Sequence, residues 1–297
     1  MSFDFSAYVQ QCRERADLAI SQALSRANCP QATLLAAMQY SATNGGKRVR
    51  PLLVMAGAEA CGNSQNPTVD SAAAAIEMMH AYSLIHDDLP AMDDDKLRRG
   101  LPTCHIAFDE ATAILAGDAL QTQAFSELSN TPNCPDRIKL RLVQELAYAS
   151  GAAGMVAGQA IDLASVNQRI SLAQLEQMHQ LKTGRIIRAA IRMGAIASGN
   201  SNVAQLQALD DYSDAIGLAF QVQDDILDVT ADTDTLGKQQ GADEQLNKPT
   251  YVSLLGLAAA QAKAEQLRQD AQQALAGFGP EAQALRALAD YIVERSH

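Results

Sequence analysis

Apolar residues recur at helical spacing along almost all of this 297-residue chain, and that pattern excludes most folds before any motif is read. Residues 31–44 place Leu34, Leu35, Met38 and Ala42 on one face, and Gly45-Gly46 stops the run. Pro51 is expected to open the next helix, where a missing N–H is harmless. Pro67 begins a long one through AAAAIEMMHAYSLIHDD. Further helical runs are expected over roughly 107–129, 135–165, 171–198, 203–229, 250–276 and 280–295. They are separated by the polar clusters GNSQNP, NTPNCP and SGNSN. No strand-like alternation persists, and abundant alanine favours both helix and close helix packing. The expectation is an all-α bundle of about ten helices. No Pro/Gly/Ser-rich linker divides the sequence, so 1–297 reads as one domain, with 47% hydrophobic residues to fill its core.

The charge balance narrows the function. With 34 acidic against 23 basic side chains the net charge is −11, which lacks the basic footprint of a nucleic-acid binder. The absence of Trp and 4% aromatics leave few stacking platforms. The five cysteines, Cys12, Cys29, Cys61, Cys104 and Cys134, are widely spaced with no CxxC pair. That fits reduced thiols in a cytoplasmic protein rather than a disulfide frame or zinc site. The opening MSFDFSAYVQQCRERAD has no secretory pattern. No stretch reaches a membrane-spanning length, because Glu77, His80 and Asp87 interrupt the longest candidates.

Two aspartate clusters stand out: Asp87-Asp88-Leu89-Pro90-Ala91-Met92-Asp93-Asp94-Asp95 and Asp224-Asp225-Ile226-Leu227-Asp228. On a helix Asp224 and Asp228 lie about 40° apart and can share a cation. Asp87 and Asp93 would be about 240° apart on a regular helix, so the helix must end near Pro90 and let Asp93 turn back toward Asp87. A single cluster could be a solvated helix end. Here each is preceded by apolar residues, Leu84 and Ile85 or Phe220 and Val222. Clustered carboxylates repel unless a cation neutralises them. Oxygen-only ligands select hard cations, and Mg²⁺ typically combines one or two carboxylates with substrate phosphates. The spaced loop of a calcium EF-hand is absent.

Basic counterparts accompany the clusters. Gly45-Gly46-Lys47-Arg48-Val49-Arg50-Pro51 puts three cations on a helix-entry loop suited to phosphate. Arg98-Arg99-Gly100, Lys182-Thr183-Gly184-Arg185 and Leu236-Gly237-Lys238 add more. His80 lies seven residues before Asp87, on nearly the same face, together with Ser83. A lone histidine is more often structural, and His86, His105 and His179 form no zinc spacing.

At this point the chain resembles the trans-isoprenyl diphosphate synthases, and within them the bacterial farnesyl diphosphate synthases. The matching stretches are GGKRVRP at 45–51, HDDLPAMDDDKLRRG at 86–100, GQAIDL at 158–163, KTG at 182–184, FQVQDDILD at 220–228 and LGKQQGADEQLNKPTY at 236–251. The resemblance implies a helical bundle around a deep cavity, usually a homodimer. It implies about three Mg²⁺ ions, with ligands drawn from Asp87, Asp88, Asp93, Asp224 and Asp228. It implies an allylic diphosphate, dimethylallyl or geranyl, held by Arg98, Lys182, Lys238 and Lys248, with Thr183 and Gln221 beside its carbon chain. Isopentenyl diphosphate is implied on Gly46, Lys47, Arg50, His80 and Arg99. Loops near Lys238–Lys248 are expected to close as a lid.

That inventory suits ionisation, condensation and elimination. Breaking the allylic C–O bond concentrates negative charge on the leaving diphosphate, where metal ions and cations stabilise it. The isopentenyl double bond then attacks, so orientation dominates, and water must be excluded. Tyr82 sits five residues before Asp87, about 7.5 Å along the helix axis. With Ser83 it is the expected determinant of product length. In the resembled family, an aromatic there together with DDLPAMD accompanies a fifteen-carbon product. The competing readings are a geranylgeranyl diphosphate synthase, a terpene cyclase and a non-catalytic subunit of a prenyl synthase. GGKRVRP and Arg98-Arg99 speak against the cyclase, and both intact motifs speak against the subunit. The tail, Glu294-Arg295-Ser296-His297, carries only Arg295 as a reliable cation, a departure from the basic tail that closes over the diphosphate site in many of the resembled enzymes.

Overall fold

The computed structural model describes residues 3–230 and 249–295. The described residues are all-α apart from one two-stranded hairpin. In chain order the helices are α1 Phe5–Ser25, α2 Ala32–Thr43, α3 Val49–Ala60, α4 Pro67–Asp87, α5 Cys104–Ala107, α6 Glu110–Ser129 and α7 Asp136–Ser150. They continue with α8 Met155–Ser165, α9 Leu172–His179, a π turn Gln180–Gly184, α10 Arg185–Ala197, α11 Val203–Thr230, α12 Tyr251–Leu255, α13 Leu257–Ala274, a 3₁₀ turn Pro280–Ala282 and α14 Gln283–Glu294. Strands β1 Leu97–Arg98 and β2 Leu101–Pro102 pair antiparallel.

The chain forms two compact units, 1–146 with 193–200, and 147–192 with 201–297. In the first, α4 packs against α1, α3 and α6. Its run Ala72–Ala75 is wholly buried, together with Ile76, Met78 and Met79. Small side chains bring neighbouring backbones close, and Ile20, Leu24, Leu53 and Leu120 fill the space between them. Burying each such Leu or Ile contributes about 1.5–3 kcal/mol. Asn66 caps α4 by accepting from the Thr68 N–H, with Pro67 in the first position. In the second unit, Leu175, Met178, Val222, Ile226, Tyr251, Ala260 and Ala264 form one apolar cluster.

Several expected helices are shorter than their apolar pattern. The run 135–165 breaks at Gly151–Gly154, where a side chain on Gly154 would strike the Ala149 carbonyl. The run 250–276 breaks at Gly256, whose φ of +83° favours glycine. The run 107–129 starts afresh at Glu110, because Asp109 caps that helix through the Thr112 N–H. Helix α3 starts at Val49, which leaves Pro51 in its first turn. No helix among the described residues is long and apolar enough to cross a membrane.

Candidate active site

In the first unit, α4 ends at Asp87, and the chain doubles back before the hairpin. The Asp93 N–H donates to the Asp87 carbonyl at 2.9 Å, and the Asp94 N–H donates to the Leu89 carbonyl at 3.1 Å. The turn expected at Pro90 therefore brings Asp93 back beside Asp87. Asp94 completes it with φ +53°, a region that Asp tolerates better than most residues. Asp93, Asp94 and Asp95 are exposed, whereas Asp88 is buried. The Asp88 carboxylate accepts from Arg98 Nη2 at 2.5 Å and from Arg98 Nε at 2.8 Å. Burial raises its pKa, against the lowering influence of Arg98. Two expected ligand-binding residues, Asp88 and Arg98, thus engage one another.

The hairpin presents the next arginine. Arg99 and Gly100 occupy its two central positions with φ +54° and +78°, the geometry that matches the twist of paired strands. An arginine at positive φ is uncommon. Its guanidinium crosses to the GGKRVRP loop, donating to the Gly45 carbonyl at 2.5 Å and to Asn44 Oδ1 at 3.2 Å. A Cβ on Gly46 would lie 2.5 Å from Arg99 Nη1 and would push the guanidinium aside, and the Gly46 φ of +117° itself favours glycine.

Arg50 and His80 are electrostatic neighbours of Arg99. Burial lowers the Arg50 pKa, and Arg50 Nε is buried without a hydrogen-bond partner. Burial, followed by the fields of Arg50, Arg99, Arg98 and Arg48, holds His80 well below the usual histidine range. His80 is therefore neutral at pH 7. Gly46, Arg50, His80 and Arg99 come together, and Lys47 is exposed on the same loop. Arg48 has a different position. It is buried, with ion pairs to Glu77 at 2.9 Å and Asp17 at 2.7 Å, and anchors the loop from beneath.

Tyr82 lies edge-on to His86, with ring centroids 5.1 Å apart. His86 fills the space that Gly117 leaves open on α6, and its Nε2 lies 3.1 Å from the Ile114 carbonyl. The Ser83 hydroxyl donates to the His80 carbonyl at 2.8 Å and takes part in the helix's own bonding.

In the second unit, Lys182 and Thr183 lie in the π turn, a distortion frequent at functional sites. Lys182 Nζ donates to Asp162 Oδ2 at 2.5 Å. Burial lowers the pKa of His179, which adjoins the turn, to about 4. Its ring stacks on Tyr251 at 5.6 Å. On α11 the three aspartates diverge in environment. Asp224 is half exposed and accepts from Arg295 Nη2 at 2.5 Å. Arg295 also stacks on the Phe220 ring at 4.2 Å. The buried Asp225 accepts the Tyr251 N–H at 2.6 Å and so fixes the start of α12. Asp228 is buried. Gln221 Nε2 lies 3.5 Å from Asp224 Oδ2. Lys238, Lys248 and the loop expected to close around them fall outside the described residues.

Asp162, Arg295 and Asp225 carry no local sequence signal of the contacts they make. GQAIDL contains Asp162, but its partner Lys182 is 20 residues away; Arg295 and Asp224 are 71 apart.

An all-α fold carrying two aspartate clusters and this set of cations defines an isoprenoid-synthase-like protein. The polyprenyl synthetase family model matches residues 31–286, and the chain belongs to that family. Farnesyl diphosphate synthase of Escherichia coli (strain K12) is 53% identical over 298 residues, covering 99% of this chain and 99% of that protein. Geranylgeranyl pyrophosphate synthase 9 of Arabidopsis thaliana is 44% identical, covering 99% of this chain and 82% of that protein. The crystal structure of an FPP/GFPP synthase from Zymomonas mobilis matches with a TM-score of 0.87 at 40% identity, covering 97% of this chain and 98% of that one.

Proposed function

We propose that this chain is a (2E,6E)-farnesyl diphosphate synthase that adds isopentenyl diphosphate to dimethylallyl and then geranyl diphosphate, with 1–297 as one catalytic domain. The observation that carries the reading is the Asp87–Asp93 turn, set in the same unit as the Arg50–His80–Arg99 cluster.

The carboxylates suit Mg²⁺. All the donors are carboxylate oxygens, a set that selects a hard cation. That fits an ion held by one or two carboxylates and completed by phosphate. Asp87 and Asp93 would hold it at the first turn, and Asp224 with Asp228 at the second motif. Asp88, occupied by Arg98, would act by orienting that guanidinium. When bound, Mg²⁺ would neutralise the charge that builds on the leaving diphosphate.

The chain's own groups divide the remaining work. Arg98 and Lys182, with Lys238 and Lys248, orient the allylic diphosphate. Thr183 and Gln221 present fixed dipoles to the allylic carbon without offering a nucleophile. Gly46, Lys47, Arg50 and Arg99 take isopentenyl diphosphate, and the neutral His80 adds a hydrogen bond without further positive charge. The allylic C–O bond breaks, the isopentenyl double bond forms the new C–C bond, and a proton leaves to the released diphosphate. Tyr82, with Ser83 beside it, limits the tail. The protein is read as a cytoplasmic homodimer.

The test is the product formed from labelled isopentenyl diphosphate and dimethylallyl diphosphate, by wild type and by Tyr82→Ala. The expected wild-type product has fifteen carbons and disappears with EDTA, and Tyr82→Ala makes a longer one. A twenty-carbon wild-type product would assign the chain to geranylgeranyl diphosphate synthesis. Failure to condense, from geranyl diphosphate as well, would reassign it as a non-catalytic subunit.

A further inference from the structure

We propose that Asp162 is a positioning residue for Lys182, and that Gly158, Asp162 and Gly217 form a cradle that sets the Lys182–Thr183 π turn. The inference deepens the proposed function and rests on it. A π turn is a rare, locally unfavourable departure from the α-helix, so its surroundings must hold it in place. Two helices do so at glycines. On α8, a Cβ at Gly158 would lie 2.5 Å from Lys182 Cα, so the backbones of helix and turn meet there. On α11, a Cβ at Gly217 would lie 3.1 Å from Gly184 Cα. Asp162 is one helical turn beyond Gly158, about 40° around α8. From that face it accepts Lys182 Nζ at 2.5 Å with only 13% of its side chain exposed. Lysine has a long flexible stem; the ion pair selects one arrangement of it before a substrate arrives.

The α11 contact gives the cradle its functional meaning. Gly217, Gln221 and Asp224 fall within about 60° of each other around that helix. One stripe of α11 therefore docks the π turn and carries the glutamine and aspartate assigned to the allylic substrate. The contact at Gly217 sets the register between Lys182 and the second acidic motif. Substituting Asp162 releases Lys182 while leaving the diphosphate-binding arginines of the first unit untouched.

The experiment is a double-mutant cycle of Asp162→Ala and Lys182→Ala, with Asp162→Asn as the conservative variant. It reads kcat and KM for each substrate, the thermal midpoint, and the rate of Lys182 reductive methylation by mass spectrometry. A small displacement of an orienting group can cost about 100-fold, so Asp162→Ala is expected to lower kcat/KM for geranyl diphosphate about 10–100-fold. Its isopentenyl KM and thermal midpoint should stay near wild type. Asp162→Asn should recover part of the loss, and in the Lys182→Ala background Asp162→Ala should cost less than about threefold. Lys182 should methylate several times faster in Asp162→Ala. An additive cycle, an unchanged kcat/KM, or a loss shared by both substrates with a matching fall in the midpoint would overturn the cradle. Wild type that fails to condense would sink the function reading. The methylation rate alone would then decide the cradle, with an unchanged rate overturning it.

Discussion

The arginine cluster of the first unit and the charged residues of the second solve different problems. Around Arg50, His80 and Arg99 several arginines gather about one carboxylate: burial lowers the Arg50 pKa against the raising field of Glu77, and burial with the arginine fields keeps His80 neutral. Glu77 offsets part of the cost of burying these cations, and the excess of positive charge still favours a further anion. In the second unit the charges answer one another, Lys182 with Asp162 and Asp224 with Arg295. A ligand there must exchange partners rather than complete an unbalanced set. Under the proposed function, the first arrangement would suit a free diphosphate and the second a diphosphate that arrives with metal ions.

The contrast can be broken at several points. The largest effect is expected from Asp93→Ala, which removes a carboxylate of the first turn. Turnover should fall about 10³-fold in a steady-state assay, as for loss of a principal charge-stabilising group. A loss below tenfold would mean that Asp93 is not a ligand.

Next in size is stability beneath the arginine cluster. The Arg48 and Glu77 side chains are 3% and 4% exposed. Arg48→Met would take from the buried Glu77 carboxylate its ion-pair partner, leaving only the fields of Arg50 and Arg99, and should cost about 3 kcal/mol in urea unfolding. A cost under 1 kcal/mol would show that water reaches Glu77.

Acid should separate the units further. His179 has a pKa of about 4 in the fold, facing Asp162 and Lys182, against an ordinary value near 6.5. Above that ordinary value the imidazole is neutral both folded and unfolded, and stability is complete. Below it the unfolded chain takes up the proton first, so stability falls down to about pH 4. Between pH 7.5 and 4.5 wild type should lose about 2–3 kcal/mol more than His179→Asn; equal losses would contradict neutral burial.

The smallest effect is expected at the tail. Arg295 is buried, but its partner Asp224 is 44% exposed. Arg295→Met should therefore cost no more than about 1 kcal/mol, despite the short contact. A much larger loss would mark the tail as a structural anchor.

The helices, both acidic motifs and the doubling back at Pro90 were legible because each has a local cause: apolar spacing, clustered carboxylates, and a residue that cannot continue a helix. The meeting of Gly46 with Arg99 was legible only through resemblance. So was the separation of Arg50 from Arg48, which the resemblance left out of the site; by spacing alone, arginines two residues apart look alike until one is buried on Glu77. The π turn leaves little local trace in an otherwise helical pattern. Asp162 and Arg295 find their partners through tertiary packing.

Whether the arginine cluster takes a bare diphosphate and the second unit a metal-borne one has a direct test. Isopentenyl diphosphate and an unreactive thio analogue of geranyl diphosphate would each be titrated calorimetrically into wild-type protein, in EDTA and in Mg²⁺. The account predicts that isopentenyl diphosphate binds in both, whereas the geranyl analogue binds only with Mg²⁺. Binding of the geranyl analogue in EDTA with undiminished affinity would contradict it.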